Sequence, residues 1–147
     1  MLNFGLFISE KKADNNGMAF IYRVEKWSGN YTPDAATLRG LLIAEGFAVH
    51  SWSDPPGVSY GSHRHDTDQS HWIISGSLEL VVDDAGSFVL NAGDRDFMPA
   101  YTYHTARVLG DEPVSYLIGE RSAEVATNDK ISGKRTVKSV GIINNRP

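Results

Sequence analysis

The chain has 147 residues, a formal net charge of −4 at neutral pH and no cysteine. A chain of this length is expected to form one domain with a sizeable core. The lack of cysteine excludes disulfides and thiolate metal sites, and the mild negative charge argues against nucleic acid or an anionic membrane as a partner. Because the apolar start turns polar at Ser9, too early for a signal peptide, we expect a cytoplasmic protein.

One helix is predicted in the N-terminal third. Thr32 is the expected N-cap, Pro33 is the expected first helical residue, and Gly46 supplies the stop. The helix carries one apolar stripe, formed by Leu38, Leu41 and Leu42. We expect this stripe to lie on the outside of the main body or on a partner subunit.

From Phe47 onward, short apolar segments separated by turn residues predict an all-β barrel or double-sheet jelly roll. Gly76 is expected to close a hairpin between the strands on either side of it. We divide the chain into an arm, strand and helix packed on the barrel (1–46), a barrel core (47–120) and a polar, basic C-terminal extension (121–147) with one late strand near its end. Along residues 18–27, apolar residues alternate with more polar ones, which predicts a strand there.

The residues that suggest chemistry lie between Gly57 and Gly76, a stretch with three of the five histidines. His63 and His65 are two apart, so both imidazoles leave the same face of an extended strand and can converge on one point. This spacing suits a metal ion. Two neutral imidazoles alone hold a divalent ion poorly, so further nitrogen or oxygen ligands are required.

The same stretch resembles the first sequence motif of the cupins, which runs glycine, five residues, His-x-His, three or four residues, Glu, six residues, glycine. Four positions agree, namely Gly57, His63, His65 and Gly76. Gln69 stands where the cupins carry glutamate. The second cupin motif is matched at Gly93, Pro99 and His104, whereas Tyr101 replaces its glycine and Val108 its asparagine.

The resemblance implies a cupin-type double-stranded β-helix, a jelly-roll barrel with one short N-terminal surface helix. It also implies one divalent ion (Fe, Mn, Ni or Zn) held by His63, His65, Gln69 and His104. Gln69 either binds the ion through its amide oxygen or hydrogen-bonds a water or ligand beside it. Because an amide brings no charge, the ion is expected to be held more weakly and to attract anionic oxygens more strongly, and Gln69→Glu is expected to tighten binding.

His71 lies two residues beyond Gln69 and faces the same interior on a strand. Three roles are open to it: a fourth protein ligand, a general acid or base, or a buried hydrogen-bonded histidine. A further group of aromatic residues is expected either to line the cavity mouth or to pack in the core, namely Trp72, Tyr101 and Tyr103.

The sequence therefore favours a metal-binding cupin, expected to be a homodimer, that acts on a small polar or anionic molecule as an oxygenase or isomerase. The catalytic role falls to His71. The alternative is a cupin module that binds or senses a small molecule without turnover, because one fold hosts both functions.

Overall fold

The computed structural model describes residues 21–31, 33–128 and 135–139. The N-terminal arm and Thr32, the predicted helix cap, lie outside the described residues. The elements in chain order are β1 (Arg23–Glu25), α1 (Ala35–Ala44), β2 (Ala48–Asp54), β3 (Ser59–His63), β4 (Thr67–Ser75), β5 (Ser77–Val82), β6 (Gly86–Asn91), β7 (Arg95–Phe97), β8 (His104–Leu109), β9 (Val114–Ser122), β10 (Glu124–Asn128) and β11 (Arg135–Ser139).

In the described part of the chain, two antiparallel sheets form the body of the protein. The five-stranded sheet has the order β1-β7-β4-β9-β2, and the four-stranded sheet has the order β3-β8-β5-β6. Their inner faces meet in an apolar core that includes Ile73 and Tyr116 from the first sheet and Leu78, Leu80 and Val108 from the second. The predicted jelly-roll fold with one helix is confirmed.

The helix lies on the outer face of the five-stranded sheet, as its apolar stripe predicted. Leu38 and Leu42 are fully buried against Trp72 and Leu117 of that sheet. The prediction that the helix starts at Pro33 was wrong, because Asp34 is the N-cap and accepts a hydrogen bond of 2.8 Å from the backbone N–H of Thr37.

The predicted hairpin around Gly76 was wrong. β4 pairs with β7 and β9, whereas β5 pairs with β6 and β8, so residue 76 carries the chain from one sheet to the other. Gly76 has a φ of 78°, and a Cβ there would lie 2.4 Å from the carbonyl oxygen of Pro113. The neighbouring hairpin joins β5 to β6, with Val82 paired to Gly86.

The C-terminal region contains a two-stranded antiparallel hairpin of β10 and β11. β11 overlaps the start of the predicted late strand, whose remaining residues lie outside the described part of the chain. Within residues 21–31, 33–128 and 135–139, no helix has the length and apolar character needed to cross a membrane.

Candidate metal centre

An open cavity of about 680 Å³ lies between the two sheets at one end of the body. β3, β4, β8 and β9 supply inward-facing side chains to it, because alternate residues of each strand point to the same face. Its polar lining includes three clustered imidazoles, a glutamine, a glutamate and a fourth histidine.

The three imidazoles of the predicted site lie together. His63 ends β3 and pairs across the strands with His104, the first residue of β8, while His65 stands in the loop between β3 and β4. One ring nitrogen of each lies within 4.8 Å of the others. This separation suits three nitrogen donors around one metal ion.

Hydrogen bonds fix which nitrogen is available in two of these rings. Nδ1 of His63 is 2.7 Å from the carbonyl oxygen of Gly61, and Nδ1 of His104 is 2.9 Å from that of Thr102. A carbonyl only accepts, so each Nδ1 carries the hydrogen and each Nε2 keeps a free lone pair. Burial, reinforced by the neighbouring histidines, lowers the pKa of His104 to about 4, so its ring is neutral near pH 7, as a ligand must be.

Gln69 lines the cavity and has an unused acceptor. Its side chain is buried on β4, and Nε2 donates a hydrogen bond of 3.0 Å to Oε1 of Glu120. Its Oε1 is buried and has no hydrogen-bond partner within the described part of the chain. Because an unpaired buried acceptor is costly, this oxygen is suited to a ligand that the protein itself does not provide. Imidazole nitrogens and an amide oxygen are donor types that a divalent ion accepts, so the chemistry of these residues fits such an ion.

Glu120 was not identified from the sequence. It lies on the inner face of β9 directly across from Gln69, and its side chain is 13% exposed. Its second oxygen, Oε2, lies 3.7 Å from Nε2 of His50, whose side chain is half exposed. The available signal was the alternation along β9, in which residue 120 continues the inward face begun by Tyr116 and Ile118.

His71 is backed by a fully buried carboxylate that the sequence did not reveal. Asp96 accepts a hydrogen bond from the backbone N–H of His71 at 2.7 Å, lies 3.0 Å from its Nδ1, and accepts another from the hydroxyl of Tyr22 at 3.0 Å. Burial alone would lower the pKa of His71, but Asp96, and to a smaller extent Glu120, raise it above the ordinary histidine value. With Nδ1 committed to Asp96, Nε2 is the ring atom left for the cavity.

Residues 50–119 match the sequence model of the cupin domain. The chain contains a cupin domain. Similar solved structures include a protein from Neisseria meningitidis, which is 24% identical over 51% of this chain and 73% of that one, with a TM-score of 0.44. The DMSP lyase DddQ from Ruegeria pomeroyi DSS-3 is 20% identical over 65% and 68%, with a TM-score of 0.47. Oxalate decarboxylase from Bacillus subtilis is 24% identical over 67% and 25%, with a TM-score of 0.47. No curated protein sequence matches significantly.

The mouth of the cupin cavity is aromatic, though not entirely as predicted. Tyr101 lines it and is exposed, whereas Tyr103, also exposed, lies beside Arg64 outside the lining. Of the two roles open to Trp72, core packing is the one observed, since it packs beneath the helix on the outer sheet face. Trp52 forms part of the wall instead.

Tyr101 occupies the position of the glycine in the second cupin motif and has a φ of 63°. This left-handed backbone is unusual for a bulky residue. A hydrogen bond of 2.7 Å from the N–H of Tyr101 to the carbonyl of His65 supports it. The contact ties the mouth loop to the loop that carries His65.

Proposed function

We propose that this cupin is a metal-dependent enzyme that acts on a small polar or anionic molecule. His63, His65 and His104 would hold one divalent ion, with the amide oxygen of Gln69 as fourth ligand. The observation that carries the proposal is the convergence of three imidazole nitrogens within 4.8 Å at an open cavity. Two of the rings are already held in the tautomer that leaves Nε2 free.

The proposed donor set is electrically neutral. Three neutral imidazoles and an amide leave the charge of a divalent ion uncancelled within the ligand set. When bound, the ion would supply a Lewis acid that polarises a substrate oxygen. A carboxylate, an enolate or a pair of oxygens is therefore the favoured chemical feature of the substrate.

His71 is the proposed proton-transfer residue. Among the described residues, the cluster with ligand nitrogens within 4.8 Å comprises His63, His65 and His104 and does not include His71. The ring centre of His71 lies 6.4 Å from that of His104. Asp96 orients the ring and favours its protonated form, so Nε2 can give a proton or a hydrogen bond to an anionic oxygen in the cavity. This arrangement favours isomerase-type chemistry over a purely oxidative reaction.

The metal site is tested by elemental analysis of protein purified without added metal and by melting with Ni, Zn, Mn or Fe(II). We expect about one ion per chain, and stabilisation of about 2.7 kcal/mol at a hundredfold excess over Kd. His63→Ala should lose the ion, whereas Arg107→Ala, an exposed residue of the four-stranded sheet outside the cavity lining, should keep it. Metal-free wild type with a melting temperature indifferent to all four ions would contradict the proposal.

Turnover is tested with a screen of small keto acids, diketones and sugars. His71→Ala should retain the metal and lose any activity found, and comparison of aerobic with anaerobic reactions separates oxygenase from isomerase chemistry. If metal-loaded wild type binds such ligands and converts none, the non-catalytic binding module is the correct function. If His71→Ala loses the metal, His71 is a ligand.

We also propose that the chain forms a homodimer. Among the described strands, β2 is a sheet edge of seven residues, and most of its length is exposed, with Trp52 49% accessible. Uncovered edges of this kind pair readily with another chain. Light scattering that reports a monomer at micromolar concentration would rule this out.

A further inference from the structure

We infer that Glu120 is a positioning residue for the metal site: it fixes the amide of Gln69 with Oε1 toward the three histidines and supplies, one hydrogen bond away, the negative charge that Gln69 lacks. The inference rests on the proposed metal site. It also explains why glutamine stands at a position where the cupin motif carries glutamate.

The backbone register brings these two side chains together. The N–H and C=O of Gln69 both bond to Met98, at 2.8 and 2.7 Å. Toward β9, residue 69 therefore forms a non-hydrogen-bonded antiparallel pair with Glu120, the arrangement in which facing side chains come closest. The pairing of the two strands therefore brings Gln69 and Glu120 into contact, although they lie 51 residues apart in the chain.

The contact also determines which way the amide points. A carboxylate only accepts hydrogen bonds, so Glu120 must face the NH₂ group of Gln69, and the 3.0 Å contact joins Nε2 to Oε1 of Glu120. The amide oxygen is then held on the other side, where it is buried and unpaired. With a neutral acceptor in place of Glu120, the amide would lose the charge that holds its orientation.

The negative charge of Glu120 also favours metal binding by Gln69. A carboxylate bonded to the NH₂ group increases the negative charge on the amide oxygen, because hydrogen-bonded groups polarise one another. The cavity therefore retains a carboxylate on β9 although its ligand position on β4 is neutral. Glutamate at both positions would place two carboxylates about 3 Å apart, a repulsive contact. Glutamine at 69 avoids that contact.

A swap of the two residues tests the inference, with Zn²⁺ affinity of metal-free protein measured by chelator competition. Glu120→Gln should weaken Zn²⁺ binding by about 10- to 100-fold, as loss of a residue that supports a metal ligand does. Gln69→Glu alone should lower the melting temperature of the metal-free protein. The double variant Gln69→Glu/Glu120→Gln restores a carboxylate–amide pair in reverse order, and should recover both stability and an affinity at least equal to that of wild type.

Glu79→Gln is the matched control, because Glu79 pairs with Arg107 away from the cavity and its loss should leave Zn²⁺ affinity unchanged. Unchanged affinity in folded Glu120→Gln overturns the inference while leaving the metal site intact. A folded double variant that binds Zn²⁺ more weakly than wild type also overturns it, and this comparison does not require either single variant to fold. Wild type that binds no Zn²⁺, Mn²⁺, Ni²⁺ or Fe²⁺ overturns the proposed function and the inference together.

Discussion

Asp96→Asn tests whether the buried carboxylate holds the proton on His71. Asp96 is fully buried and accepts hydrogen bonds from the backbone and ring of His71 and from Tyr22. Asparagine has nearly the same shape, but it removes the charge and replaces one acceptor by a donor. Since hydrogen bonds to charged groups contribute roughly 1.5–3 kcal/mol, we expect the free energy of unfolding to fall by about 2–3 kcal/mol.

The pKa of His71 should change more specifically. In the wild type Asp96 opposes the effect of burial, so the pKa of His71 is raised. The resulting stabilisation is fully present below the ordinary histidine pKa of about 6.5 and is lost as the pH rises through the raised value. In Asp96→Asn burial prevails, so the pKa of His71 should fall below its ordinary value and the protein should instead lose stability as the pH falls.

NMR titration of the His71 ring in metal-free protein measures this pKa directly, and urea unfolding from pH 5 to 9 measures the stability. Asp94→Asn is the control, because Asp94 is a buried aspartate that bonds Lys26 and makes no contact with the His71 ring. It should cost stability without moving the pKa of His71. A pKa of His71 in Asp96→Asn equal to or above that of wild type would refute the reasoning.

Three other predictions follow from burial and backbone geometry. Leu38→Ala should lower the free energy of unfolding by about 2–5 kcal/mol in urea, whereas Ile43→Ala, at an exposed position of the same helix, should change it by less than about 0.5. Gly76→Ala should lower the free energy of unfolding by at least about 3 kcal/mol more than Gly110→Ala does. Both glycines have a φ of 78°, but only a Cβ at residue 76 would meet backbone atoms. The free energy of unfolding of metal-free protein should fall by about 2 kcal/mol as the pH falls from 6.5 to 4, because the pKa of His104 is lowered to about 4 and solvent at the cavity weakens the effect. In His104→Ala this pH dependence should be smaller.

The strands were predictable where the evidence was local. Short apolar segments separated by turn residues predicted an all-β body from Phe47 onward, and β2 to β9 follow there in the structure. The helix cap was misplaced because Thr32 and Asp34 are both good capping residues and only the hydrogen bond to Thr37 decides between them. The hairpin at Gly76 was wrong for a similar reason: a glycine with positive φ is compatible with a tight turn and with a crossing between sheets, and strand pairing decides which.

The site residues also differ in whether the sequence could reveal them. The histidines of the proposed ligand set follow from motif spacing, whereas their partners depend on pairing between distant strands. Asp96 is 25 residues from His71, and Glu120 is 51 residues from Gln69. The alternation of residues along one strand does not reveal contacts between residues this far apart in the sequence. The expectation that Gln69→Glu alone tightens metal binding therefore omitted the residue that now faces it.

Glu120 also changes which ligand the cavity should prefer. In the proposed site, a divalent ion with four neutral ligands would carry two positive charges, and Glu120 would offset one of them. Protonated His71 is paired with Asp96, and the opposite charges of Arg64 and Asp66, which also line the cavity, cancel in the count. One net positive charge remains, so the metal-loaded wild type should bind monoanions such as a simple carboxylate in preference to dianions of similar size. Glu120→Gln should shift that preference toward dianions, measured by titration calorimetry with mono- and dicarboxylates. An unchanged ratio of the two affinities would show that Glu120 does not contribute to the field at the ligand position.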